Sequence, residues 1–479
     1  MAGRGISDLQ ATRNFRQTQA GEIWNHATHD IDLAVAHDLC IASLMNVESI
    51  KFRKHDCFKN DWAGFDSFKP VNVIIGRNNT GKSRLLDLVE ALCENKARAR
   101  KWDLKIFGKI TQRDMTEASN RNGSNYWEVH AKHFVDLGVA AEFDRDDQHS
   151  DLQVHHNDGL FVGAPSHQQT LDAKTTRLSL LQDVAKRAAL PLAEKTFRRL
   201  LAERNISPEK SGTGLALGSD GHGATNIIRR YLRTTHKSLP PGIIQTDLLD
   251  ALNEIFRPDG RFTEIDARHH DEPERPDQSV DHWEIYLAEE KKGLVALSRS
   301  GSGLKTVLLV LLNLLVVPAF QAPLKKKSHY VFAFEELENN LHPALLRRLL
   351  TYIQRYAVEN KSMIFLTTHS SVALDVFGQS PNAQIIHVRH DGESATAHTV
   401  PAHFDRQGIV AELGAKPSDL LQANGIVWVE GPSDRLYLSR WIELCSKGEL
   451  KEGRDYACVW YAGALLARAQ FRSPDEATE

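Results

Sequence analysis

Apolar and polar residues alternate along the chain in two rhythms, one of period two and one near 3.6, and the elements lie where these change over. Residues 71–75 (VNVII) form a short apolar run of buried-strand type. A loop of glycine and asparagine follows, and LLDLVEALCENK then repeats at helical spacing. Strand-like pieces recur at 126–134 and 139–143. From about 170 to 257 the rhythm is helical: TTRLSLLQDVAKRAALPLAEKTFRRLLAERN, TNIIRRYLRTTHK and, after Pro240 and Pro241, IIQTDLLDALNEIF. This stretch reads as a helical insertion in an otherwise alternating α/β chain.

Further along, WEIYLAEEKKGLVAL gives two alternating runs around Lys291-Lys292-Gly293, the pattern of a hairpin. It leads through SRSGSGLK into an apolar helix whose core, residues 307–317, is interrupted by Asn313 and is expected to stop at Pro318. Such a run is well short of the ~20 apolar residues that a membrane helix needs. A strand at 330–334, a helix at 344–359 and a strand at 362–367 come next. A second hairpin, QIIHVRHDGESATAHTV, turns at Asp391-Gly392. Residues 1–44 are polar at first and then carry one short amphipathic piece, so they read as a loosely ordered N-terminal extension, with Met45 a second possible start.

Composition narrows this picture without directing it. The length of 479 residues suggests two to four domains, and a net charge of −3 gives no global basic field, so any nucleic-acid contact must come from local patches. The five cysteines, Cys40, Cys57, Cys93, Cys445 and Cys458, are scattered and form no CxxC pair. They argue against a zinc ribbon or disulfide framework and fit a reducing cytoplasm. The N-terminus lacks the apolar core of a signal peptide.

GRNNTGKS, residues 76–83, matches GxxxxGK[ST] between a strand and a helix. Gly76, Asn78, Asn79, Thr80 and Gly81 let the backbone curl so that its N–H groups face phosphate oxygens. Lys82 brings positive charge to them, and Ser83 places a hydroxyl on Mg²⁺. HYVFAFEELENNLHP puts Glu335 and Glu336 at the end of an apolar strand, where parallel sheets carry their sites. The first is suited to hold Mg²⁺, the second to act as general base on an attacking water. SRSGSGLK sets Ser300, Gly301, Ser302 and Gly303 before a helix N-terminus, an anion-binding position. IFLTTHSSVALD ends a further apolar strand with His369.

In this order the four segments resemble the ABC-type ATPases, in particular the soluble branch concerned with DNA repair and chromosome maintenance. That resemblance implies Mg-ATP bound by Lys82, Ser83 and Glu335, Glu336 as the hydrolytic base and His369 as a switch. It also implies Ser300 or Ser302 facing the nucleotide of a second copy, hence a homodimer or higher homo-oligomer. Glu335 departs from the aspartate common at its position by one methylene. A glutamine lining the site has no clear candidate, Gln112 and Gln153 being the nearest in pattern.

GRNNTGKS, FEELENNLHP, TTHSSVALD and KPSDLLQANGIVWVEGPSDRLYL together are similar to the OLD family of ATP-dependent endonucleases, which join this ATPase to a TOPRIM nuclease and include Gabija-type antiviral members. The resemblance implies an ATPase domain over 45–420, with the insertion at 170–257 serving dimerisation, and a partial TOPRIM segment over 421–479. Glu430 would be its metal-binding and catalytic glutamate, acting on DNA in defence against phage or plasmids. TOPRIM chemistry also needs a DxD pair on a later strand, and the acids after Asp434 contain none. The expectation is an ATPase half more complete than the nuclease half. The alternative is an ATP-driven sensor or scaffold that works with a separate effector protein or with the remaining TOPRIM fragment. A membrane transporter motor fits poorly with the insertion and the TOPRIM-like tail. Basic clusters at Lys96, Arg98, Arg100 and Lys101, at Arg198 and Arg199, at Arg229, Arg230 and Arg233, and at 325–327 read as solvated faces or as tracks for a DNA backbone. His155-His156, His269-His270 and the acidic run at 144–151 read as solvated turns.

Overall fold

The computed structural model describes residues 46–97, 102–114, 116, 138–143, 154–156, 159–161, 188, 190–233, 242–269, 282–321, 325–339, 341–378, 380–400, 426–429, 432–448, 450, 452 and 456–460. Its contacts divide the chain into two units, one of residues 1–47, 107–141 and 152–189, the other of 48–106, 142–151 and 190–479. In the first, the described residues include an antiparallel pair, Val154–His156 with Gly159–Phe161, which contains His155 and His156. The expected strand at 126–134, the start of the helical stretch, residues 1–44, Gln153 and Glu430 all lie outside the described residues.

The second unit is α/β and is built on a six-stranded sheet. In spatial order its strands are Ala395–Thr399, Ala383–His390, Val71–Ile75, Met363–Thr368, Tyr330–Glu335 and Thr196–Leu200. Every pairing is parallel except the outermost, Ala383–His390 with Ala395–Thr399, which is the hairpin expected around Asp391-Gly392. Parallel strands are covered on both faces, which is why VNVII and YVFAFE are largely apolar rather than alternating, Asn72 and Glu335 being the exceptions. All residues of both strands are buried.

The strand Tyr330–Glu335 shows how the two faces are filled. Tyr330, Phe332 and Phe334 point the same way and stack along it, with ring centroids 5.7 and 6.1 Å apart. Tyr356, from the helix Pro343–Glu359, meets Phe332 edge-on. Phe365 on the neighbouring strand instead packs edge-on against Phe65, 5.4 Å between centroids. Each buried phenylalanine contributes about 2–3 kcal/mol by removal from water. A separate antiparallel sheet joins Phe262–His269, His282–Glu289 and Gly293–Ala296, the last two being the expected hairpin, with Glu209–Lys210 pairing beside them. Farther along, Ile426–Val429 and Ala457–Trp460 pair in parallel around the helix Pro432–Cys445.

Two expectations need correction. The stretch at 170–257 is not helical throughout: Thr196–Leu200, inside the segment read as one helix, is an edge strand paired with Tyr330–Glu335. Its sequence, TFRRL, opens with a β-branched and an aromatic residue, and the sheet pairing overrides the helical periodicity of its surroundings. Helices do follow, at Ala224–Arg233 and Leu249–Phe256.

Nor does Pro318 end the apolar helix. Ser302–Leu311 continues through a π-helical turn, Leu312–Val316, into Val317–Gln321. Proline has no N–H to offer the carbonyl of Leu314 four residues earlier, and the hydroxyl of Tyr356 donates to that carbonyl instead. The span Ser302–Phe320 is therefore long and apolar enough to cross a membrane by length and composition, but it runs through the core with Val307 to Leu314 buried.

Candidate nucleotide site

The loop after Val71–Ile75 is curled by two close approaches. A side chain on Gly76 would meet the Val388 carbonyl oxygen at 2.3 Å, and one on Gly81, whose φ is +103°, would meet Cys57 Sγ at 2.6 Å. Asn79 also takes positive φ, 62°, and Thr80 Oγ1 closes the turn by donating to the Arg77 carbonyl at 2.9 Å. The helix Lys82–Cys93 starts directly at the end of this loop, so its first N–H groups open onto the same space. Asn78, Asn79 and Ser83 are exposed, whereas Lys82 is buried.

Lys82 lies back across its own loop, Nζ donating to the carbonyls of Gly76 at 3.0 Å and Arg77 at 2.8 Å. Burial pulls its pKa below the ordinary lysine value, against the opposing charges of Glu336, Glu338 and Glu335. A buried ammonium whose hydrogen bonds go to neutral carbonyls is suited to pair with an anion. Ser83 Oγ donates to Glu335 Oε2 at 2.8 Å. A hydroxyl and a carboxylate oxygen at that separation form a hard-oxygen donor pair suited to Mg²⁺.

The longer arm of Glu335, relative to aspartate, serves two partners. While Oε2 meets Ser83, Oε1 accepts from Arg199 Nε at 2.6 Å, and Arg199 also bonds Asp87 at 3.0 Å. Burial works against the Arg199 charge, but these two carboxylates outweigh it and hold the guanidinium pKa above its usual value. Glu336 follows with φ at 45°, a conformation rare for a glutamate and costing about 1 kcal/mol. Its N–H donates to the Thr367 carbonyl at 2.8 Å, and Asn339 Nδ2 reaches its carboxylate at 3.2 Å.

Beyond Met363–Thr368, His369 is fixed by a third acid. Glu338 Oε1 accepts from the Thr368 hydroxyl at 2.8 Å and from the His369 N–H at 2.7 Å. The same oxygen lies 3.1 Å from His369 Nδ1, but out of line for a hydrogen bond. The segment Ser300 to Gly303 caps the long apolar helix, Ser300 Oγ donating to the Ala296 carbonyl at 3.0 Å, with Gly301 and Ser302 exposed and Gly303 buried.

The structure thus brings Gly76, Lys82, Ser83, Glu335 and Glu336 around one loop. Residues 215–375 match the family described as "AAA domain, putative AbiEii toxin, Type IV TA system". This segment is similar to AAA-type ATPase domains. It carries the Ser300 to Gly303 segment, Glu335, Glu336 and His369, whereas the GRNNTGKS loop precedes it in the chain. The chain is 22% identical over 351 residues to the "ATP/GTP phosphatase" of Helicobacter pylori, covering 70% of this chain and 88% of that protein. Among solved structures, an SMC head bound to the C-winged helix domain of ScpA is 14% identical with a TM-score of 0.37, covering 76% of this chain and 99% of that one. The SMC head domain from Thermotoga maritima is 12% identical with a TM-score of 0.34, covering 75% and 100%.

Several contacts of the site have no signal in the sequence. Glu338 is visible only as one more acid in FEELE, and Arg199 and Arg204 stand in a segment with a helical pattern. Leu201 beside Arg204 apart, their partners lie from 30 to 136 residues away in the chain, beyond the reach of any local spacing. The basic clusters are also more engaged than expected. Arg198 bonds Asn313 and the Leu217 carbonyl, Arg230 the Thr213 carbonyl, Arg233 Asp266, and Arg229 both the Gly212 carbonyl and the face of Trp283. Lys325 donates to Thr196 Oγ1, and Lys327 sits 5.6 Å from the Tyr356 ring. Arg98, Arg100, Lys101 and His270 lie outside the described residues. Among the described residues no group of three or more His, Cys, Asp or Glu is arranged to hold a metal.

Proposed function

We propose that the chain hydrolyses ATP in the space between Lys82, Ser83, Glu335 and Glu336. The observation that carries this is the 2.8 Å bond from Ser83 Oγ to Glu335 Oε2, which joins the phosphate-binding loop to the acidic strand 252 residues away. Lys82 exchanges its two carbonyl acceptors for phosphate oxygens, a stronger charge-assisted pairing. Ser83 and Glu335 hold Mg²⁺, which when bound neutralises charge on the phosphate oxygens. Glu336 accepts the proton of the attacking water, and the turn that holds its backbone aims the carboxylate. His369, set at the strand end by Glu338, faces the terminal phosphate and senses its loss.

In this reading two copies close around ATP, the Ser300 to Gly303 segment of each completing the site of the other, as the ABC-type resemblance implies. The OLD-type resemblance adds the output: ATP turnover gates a DNA-directed activity of the C-terminal segment, in defence against phage or plasmids. The parallel pair Ile426–Val429 and Ala457–Trp460 around one helix supports an α/β unit with Glu430 directly after its first strand. The alternative reading is an ATP-driven sensor that passes its state to a separate effector.

Steady-state ATPase assays decide the first part. Lys82→Ala and Glu336→Gln are each expected to lower turnover by about 100-fold or more, and wild-type rates in either would sink the mechanism. Plasmid nicking with Mg²⁺ or Mn²⁺, abolished by Glu430→Ala, would exclude the sensor reading.

A further inference from the structure

The turn after the edge strand Thr196–Leu200 carries one arginine that touches three parts of the ATPase domain at once. Arg204 Nη1 donates to the carbonyls of Leu201 and Glu335, each at 2.6 Å, and Nη2 to the carbonyl of Glu336 at 3.0 Å. Its Nε lies 3.4 Å from Thr306 Oγ1, one turn into the helix Ser302–Leu311. Beside it, Lys305 Nζ on that same helix donates to Asn205 Oδ1 at 3.1 Å. Glu336, meanwhile, is gripped from the other side by its N–H bond to Thr367.

A guanidinium is a rigid planar fork, so its acceptors keep fixed relative positions. Displacement of the helix that bears Ser300 to Gly303 therefore pulls on the backbone carbonyls of both acids. The Glu336 turn is the sensitive end, because its left-handed backbone has few alternatives nearby. A lysine in place of Arg204 has one nitrogen and cannot span the helix and both carbonyls.

We propose that Arg204 is a positioning residue that couples the seating of the Ser300 to Gly303 segment to the aim of Glu335 and Glu336. This rests on the ATPase reading above. Hydrolysis at one nucleotide then responds to whether the signature segment of the same copy is engaged with the other nucleotide. The partners of Arg204 are backbone carbonyls and the Thr306 hydroxyl, not the carboxylate oxygens of either acid.

The test uses the full chain. Arg204→Ala is expected to bind a fluorescent ATP analogue as the wild type does and to keep KM, while kcat falls about 100-fold. Low guanidinium chloride should restore part of kcat in Arg204→Ala but not in Lys82→Ala, and Arg204→Lys should stay impaired. Thr306→Val, which removes only the contact of Arg204 with the helix, should turn a sigmoidal ATP dependence into a hyperbolic one. Retained kcat in Arg204→Ala overturns the coupling alone, as does a loss that follows ATP affinity and melting temperature without guanidinium rescue. A Thr306→Val protein indistinguishable from wild type also overturns it. A wild type that turns over no ATP overturns the ATPase reading, and the coupling with it.

Discussion

Arg198 and Arg199 are neighbours with opposite duties, because successive side chains of a strand point to opposite faces. Arg198 turns toward Asn313 and the Leu217 carbonyl, and burial lowers its pKa. Arg199 turns toward Glu335 and Asp87. Only about a fifth of the Arg199 side chain and a tenth of that of Glu335 remain exposed, so the pair is not a surface ion pair of negligible worth. Removing the cation leaves a carboxylate in a half-desolvated place without its partner. Arg199→Gln is expected to cost about 2 kcal/mol, read from the midpoint of urea unfolding at neutral pH. A midpoint equal to wild type would show that solvent already satisfies Glu335.

At the scale of elements, the helix that begins at Ser302 survives its proline because another element supplies the missing donor. Tyr356 reaches from Pro343–Glu359 to the Leu314 carbonyl, and burial pushes its hydroxyl pKa well up, consistent with a hydroxyl that stays protonated and donating. Tyr356→Phe should cost about 1–3 kcal/mol by leaving that carbonyl unsatisfied. Pro318→Ala, which returns an N–H nearby, should reduce the cost of Tyr356→Phe in a double-mutant cycle. Additive losses would mean the two groups do not share the carbonyl.

The same elements show what the sequence could reveal. Strands buried on both faces, VNVII, YVFAF and IFLTT, were legible as largely apolar runs, and both hairpins from their turn residues. The loop glycines, Lys82, Ser83 and the two glutamates stand out in local order along the chain, and the structure brings them around one loop. Thr196–Leu200 was hidden because its strand character comes from a pairing partner, Tyr330–Glu335, more than a hundred residues away. Arg204 was hidden for the same reason: what it does depends on carbonyls, which every residue carries and no sequence distinguishes.

For the whole molecule, the exposed head of the Ser302–Leu311 helix is the surface that the proposed pairing would use. Glu336→Gln, which binds ATP but stalls, is expected to double its mass in light scattering when Mg-ATP is added. Ser302→Arg in that background should remain at the mass of a single copy. A Glu336→Gln protein whose mass ignores nucleotide would remove the second copy from the mechanism.

The placement of Val71–Ile75 bears on how the protein is made. Its two neighbours in the sheet are Met363–Thr368 and Ala383–His390, which leave the ribosome about 290 residues later. Until then the strand that leads into the phosphate loop has open edges and no sheet to join, a sticky state during slow synthesis. Nucleotide therefore cannot assist early folding, and a nascent chain halted before Met363 holds the whole GRNNTGKS loop without a site to put it in.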